Sequence, residues 1–140
     1  MINYSIYDGD DTLVSKSKRN AIGLVSDGTS NRGDMRIEAR FIYVQAGKDL
    51  RAGDVVFFNN DTGLATNEEI NNRPAIILKD MKDKLYGWAL LGGLCEFTDL
   101  ATSYGGNLYV KNGRVTTEEN DNSLLGSYFI DNKGLAYIKD

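Results

Sequence analysis

Apolar and polar positions alternate along much of this chain with a period of two. From Met35 to Tyr43 the side chains of Met35, Ile37, Ala39, Phe41 and Tyr43 fall on one face, and Arg36, Glu38 and Arg40 fall on the other. That pattern predicts a half-buried strand. No segment of a dozen residues spaces its apolar side chains at i, i+3, i+4 and i+7. Helix is therefore expected only as single turns, near Asn67 to Asn71 and Phe97 to Ser103. Turn chemistry interrupts the apolar runs at short intervals. Leu108-Tyr109-Val110 reaches Arg114-Val115-Thr116 through Lys111-Asn112-Gly113, and Asn-Gly is the strongest short hairpin signal because both residues accept positive φ. Ser127 to Ile130 and Leu135 to Ile138 are joined through Asp131-Asn132-Lys133-Gly134, and Ala75 to Leu78 and Leu85 to Leu91 flank the charged stretch Lys79 to Lys84. Short strands with such frequent turns predict an all-β fold, a single small sandwich or barrel of hairpins.

The stretch LRAGDVVFFNNDTG, Leu50 to Gly63, raises a sharper question. Asp54 could be placed for catalysis, or the glycines could hold a phosphate. Four consecutive apolar residues, Val55 to Phe58, read more simply as a strand with a turn at each end. Such a run means that both faces are covered, or that a bulge breaks the alternation. Ile37, Phe41, Val55, Phe57, Ile77, Trp88, Leu90 and Phe129 are the expected core.

Composition changes once along the chain. Residues 1 to 34 are rich in Ser, Asn, Asp and Gly, with short apolar islands at Ile2, Tyr4, Ile6 and Ala21 to Val25, whereas residues 35 to 140 hold nearly all the long apolar runs. The first part is therefore expected either to add edge strands or to be an extended N-terminal arm that orders on a partner. The second part is expected to be the β-domain.

Charge and residue inventory narrow the chemistry. The 140 residues carry a formal net charge of −4, and the short basic run Lys16, Lys18, Arg19 does not offset it, so nucleic acid is not an expected partner. No window approaches the roughly 18 consecutive apolar residues of a membrane span. The first residues lack the basic and apolar regions of a secretory signal, and Cys95 is the only cysteine, so folding in a reducing cytoplasm is expected. The sequons at Asn3 and Asn60 then read as chance. There is no histidine, which removes the commonest general base and metal ligand. No catalytic residue, cofactor or metal is expected. Asp8-Gly9-Asp10-Asp11 is the best candidate for a hard cation, but it lacks the EF-hand spacing and reads as a solvated loop. Glu118-Glu119-Asn120-Asp121 reads as a hairpin end. Gly92-Gly93 lacks the phosphate-loop patterns and reads as a bulge or a close backbone approach. Cys95, in an alternating apolar segment, reads as a buried structural thiol. Arg32-Gly33-Asp34 matches the integrin tripeptide, but it is built of common residues in a polar stretch. Trp88 and the tyrosines at 86, 104, 109, 128 and 137 read as packing before they read as a ligand platform.

Three stretches together resemble a known family. Ala46-Gly47-Lys48-Asp49-Leu50-Arg51-Ala52-Gly53-Asp54-Val55-Val56, Gly87-Trp88-Ala89-Leu90 and Leu108-Tyr109-Val110-Lys111-Asn112-Gly113 are similar to the head decoration, or cement, proteins of tailed bacteriophages. Leu125-Gly126 and Gly134 to Ile138 fit the same pattern. The resemblance runs from Val44 to Ile138 and leaves the N-terminal third and the segment from Asp61 to Pro74 without a counterpart. It implies a non-enzymatic virion protein, made in the host cytoplasm and bound to the capsid exterior. It implies the major capsid protein as partner, and neighbouring copies or a homo-oligomer on the shell. A non-catalytic module of a tail, baseplate or head-fibre anchor is the alternative. On this reading Ile2, Tyr4 and Ile6 are the expected side-chain anchors of the arm.

Overall fold

The computed structural model describes residues 1–69 and 72–140. It is all-β, and the described residues contain no helix. The strands are β1 (Asn3–Ile6), β2 (Val14–Ser15), β3 (Val25–Arg32), β4 (Met35–Ala46), β5 (Val55–Phe58) and β6 (Leu64–Thr66). They continue with β7 (Pro74–Ile77), β8 (Tyr86–Glu96), β9 (Asn107–Lys111), β10 (Arg114–Thr116), β11 (Ser123–Phe129) and β12 (Leu135–Ile138). Residues 98 and 99 form a turn, and the rest of Phe97 to Ser103 is irregular, so the helical turn expected there does not form. The turn expected at Asn67 to Asn71 lies partly outside the described residues. Asn67 and Glu68 form a bend.

All the strands join in one sheet, in the order β1-β3-β4-β6-β5-β7-β8-β12-β11-β9-β10, with β2 on β8. A further pairing of β4 with β8 makes the pairings of β4, β6, β5, β7 and β8 a closed cycle. The central strand β8 serves both halves of the sheet. Its first half pairs with β4 and β7, and its second half, Gly93 to Glu96, pairs with β12.

This position explains the unbroken apolar runs. Successive residues of β8 enter two cores in turn: Trp88 and Leu90 one, Ala89 and Leu91 the other. β5 divides in the same way at Val55 and Val56, and β7 at Ile76 and Ile77. Both faces are covered, which is the condition for a continuous apolar strand. The first core is large and aromatic, with Phe41, Tyr43, Trp88, Phe97 and Phe129. The second is built mainly from small side chains, among them Val44, Ala46, Val56, Ala65, Ala75 and Ala89. Of the expected core, Phe41, Val55, Ile77, Trp88, Leu90 and Phe129 are buried, while Ile37 and Phe57 are only half-buried. Ile37 lies beyond the last β4 residue paired to β8, Arg40, where β3 is the only strand paired with β4 among the described residues. Phe57 lines an open cleft.

Residues 1 to 34 do not stand apart from the sheet. β3 pairs with β4 over eight consecutive residues, from Val25↔Ile42 to Arg32↔Met35, so a boundary at 34 cuts through a hairpin turn. β1 then adds to β3 as an edge strand. The polar composition of β3 concealed it. Its inward positions are small hydroxyls that find partners. The Ser30 hydroxyl is fully buried, donates to the Ile37 carbonyl at 3.2 Å and accepts the Leu94 amide at 2.9 Å. Ser26 is buried as well and accepts the Asp8 amide at 2.9 Å. A buried hydroxyl is tolerated when it is hydrogen-bonded in this way.

Candidate functional site

The three stretches that carry the family resemblance meet in space. The turn before β5 and the β9–β10 hairpin are bridged at Asp54↔Arg114, and the Val55 amide donates to the Gly113 carbonyl at 2.8 Å. The hairpin turns on Asn112 and Gly113, both at positive φ (54° and 72°), as the Asn-Gly signal requires. Trp88 of the Gly87-Trp88-Ala89-Leu90 stretch shares a core with Val55, and Val44 just before the first stretch pairs with Gly87.

Asp54 sits at the centre of this node and its carboxylate is fully engaged. One oxygen accepts the Arg51 amide at 2.9 Å, and the other accepts Arg114 at 2.5 Å. The residue is 7% exposed. Its main chain is equally committed: Ile77 N–H donates to its carbonyl, and its amide closes the turn onto Arg51. Gly53, at φ 90°, makes that turn possible. Asp54 therefore locks the start of β5 to β10 and is not held free for proton transfer.

The remaining candidates resolve one at a time. In the acidic loop, the Asp10 carboxylate accepts the Thr12 amide and pairs with Arg19 at 3.3 Å. Hydrogen bonding to Thr12, followed by the Arg19 charge, holds its carboxyl below the usual aspartate range. The Trp88 indole donates to the Asp10 carbonyl at 2.9 Å, which clamps the loop onto β8. Among the described residues, no three His, Cys, Asp or Glu side chains converge as a metal site would require. Glu118 pairs with Lys111 at 3.2 Å across the end of the β9–β10 hairpin. Gly92 and Gly93 lie beside a register shift between β4 and β8, and a Cβ on either would strike Asp140 or Ala39. Both expectations for the pair, bulge and close approach, are met. Cys95 is buried, and burial pushes its thiol up to about 12. Arg32-Gly33-Asp34 is the end of β3 and its hairpin turn, with Arg32 paired to Glu96 and Asp131 at 3.4 Å each. The aromatics form no common platform. Trp88 is buried edge-on to Tyr43, Tyr104 is exposed, and Tyr128 and Tyr137 meet with tilted rings, 5.6 Å apart and 45° between planes.

Of the three expected anchors, two are used within the chain. Ile6 is buried, and Tyr4 packs edge-on against Phe41 while its hydroxyl donates to the Leu94 carbonyl at 2.9 Å. Burial raises the Tyr4 phenol far above its usual range. Ile2 is half-buried, and Asn3 and Ser5 are exposed. What β1 offers outward is its main-chain edge and these polar side chains. Sequence reasoning did not anticipate this, because the groups that hold Tyr4 are Phe41 of β4 and the Leu94 carbonyl of β8, the latter ninety residues away. Compared with known proteins, the chain matches no family model, no curated protein and no solved structure.

Proposed function

We propose that this protein is a decoration protein that binds the outside of a bacteriophage head and stabilises the shell. The observation that carries the reading is the convergence of its three family-like stretches. Residues 46–56 and 108–113 are distant in sequence but are joined by the Val55–Gly113 hydrogen bond beside the Asp54–Arg114 bridge, and residues 87–90 share both cores with residues 46–56. A pattern of common turn and strand residues gains weight when its parts support a single piece of structure. The charge balance is compatible, since a net charge of −4 suits a protein surface better than a nucleic acid. The action would be mass action. A protein that binds assembled shell more tightly than free subunits stabilises the shell in proportion to occupancy, and repeated sites let each contact be modest.

The test compares heads with and without the protein under heat and osmotic shock, together with gold-labelled antibody on intact particles. Label on heads and earlier rupture of undecorated heads are expected. Label confined to the tail, or equal robustness of both preparations, overturns the proposal.

A further inference from the structure

The sheet ends in two strands that are finished differently, β1 and β10. β10 is three residues long and tied down. Arg114 pairs with Asp54 and lies 3.9 Å from Asp99, and the neighbouring Gly113 carbonyl is taken by Val55. β1 is Asn3-Tyr4-Ser5-Ile6, in regular register with β3, with no charge, proline or bulge. Those are the devices by which natural sheets keep an exposed edge from pairing with another chain.

The direction of the free groups follows from one bond. The Tyr7 amide donates to the Asp27 carbonyl at 3.0 Å. Hydrogen-bonded pairs alternate along an antiparallel ladder, so Asn3 and Ser5 also face β3, and the main-chain groups of Ile2, Tyr4 and Ile6 face the open edge. Among the described residues, β3 is the only strand paired with β1.

We infer that this edge pairs with the same edge of a second copy, antiparallel, about a twofold axis through Tyr4. That register matches every outward group. Ile2 meets Ile6 of the second copy, Tyr4 meets Tyr4, and the exposed side chains of Asn3 and Ser5 stand opposite one another. It is isologous, so one surface serves both copies. It also suits the charge. Asp8, Asp10 and Asp11 follow β1 directly, and an antiparallel register places the two acidic loops at opposite ends. A parallel register would set them side by side. A four-residue edge is well below the roughly 1,200 Å² of a stable interface, so association is weak and concentration-dependent. The inference concerns the free protein and does not rest on the capsid reading.

Sedimentation equilibrium from micromolar to millimolar protein, with amide exchange at both extremes, tests it. A dimer is expected at the high end, with protection rising at Tyr4 and Ile6 but not at Ser5 and Tyr7, whose amides already face β3. The double variant Asn3→Lys with Ser5→Lys puts like charges across the junction and should weaken dimerisation at least tenfold. Asn3→Lys with Ser5→Glu puts opposite charges there and should restore it at low salt. Both side chains are exposed, so the monomer fold is retained. A protein that stays monomeric throughout overturns the inference. So does a dimer indifferent to both variants, or one without the alternating protection in the unmodified chain.

Discussion

At the scale of single residues, the polar groups that looked available for chemistry turn out to be joints. Asp54 is the sharpest case. Removing its partner by Arg114→Ala leaves a nearly buried carboxylate with one oxygen unmatched, and should destabilise the protein by about 1–3 kcal/mol. Asp54→Asn with Arg114→Ala should recover part of that loss, because the buried charge goes too. Denaturant unfolding of both variants checks this, and a double variant no better than the single one would show that charge is not the issue. Asp131 offers a pH test. Its carboxylate accepts the Lys133 and Leu135 amides, at 2.8 and 3.1 Å, and pairs with Arg32. The Lys133 amide bond, followed by those from Leu135 and Arg32, holds its pKa below the usual aspartate value. A depressed folded value means stability that is present above the unfolded value of about 4 and is lost as pH falls through the folded one. Melting temperature should therefore decline below about pH 4, and the decline should be shallower in Asp131→Asn. An identical decline in the variant would remove Asp131 from the account.

At the scale of elements, β3 shows where pattern reading stops. The strand is Val-Ser-Asp-Gly-Thr-Ser-Asn-Arg, a string of turn formers by composition. It is a strand because β4 offers eight consecutive partners and because Ser26, Gly28 and Ser30 are small and buried, with Ser26 accepting the Asp8 amide and Ser30 the Leu94 amide of β8. Gly28 is the critical position. A Cβ there would run into the Ser5 carbonyl oxygen and lie 2.9 Å from the Phe41 ring. Gly28→Ala should cost about 1–3 kcal/mol by overpacking and should lift β1 first. The check is amide exchange. Tyr7 and Ser5 should lose protection while β8 and β12 keep theirs, and uniform loss across the sheet would contradict it. By contrast, the Asn112-Gly113 hairpin and the Gly134 turn are local, so their residues announced them.

At the scale of the whole molecule, two cores share β8, and opening that strand should require unfolding both. Cys95, in β8 opposite Ala136, reports on this. Its thiol is hidden and kept protonated by burial, so labelling at pH 8 should be slow in the native protein and follow global unfolding in denaturant. Rapid labelling without loss of the tryptophan signal would show that the half of the sheet holding β12 opens alone. By itself the sequence determined the all-β class, most strand positions and the Asn-Gly hairpin. It also marked Cys95 and Trp88 as packing residues. These follow from period-two alternation and from turn residues whose φ preferences act over a few positions. Only the tertiary structure decided that residues 1 to 34 belong to the sheet, that Asp54 is paired and that Tyr4 and Ile6 face inward. The deciding partners of the side chains lie far along the chain: Arg114 for Asp54, and Leu94 of β8 for both Tyr4 and the buried Ser30 of β3, although β4 itself follows β3 through a short hairpin. Whether a polar residue is free or satisfied depends on that distant neighbour, and local pattern carries no record of it.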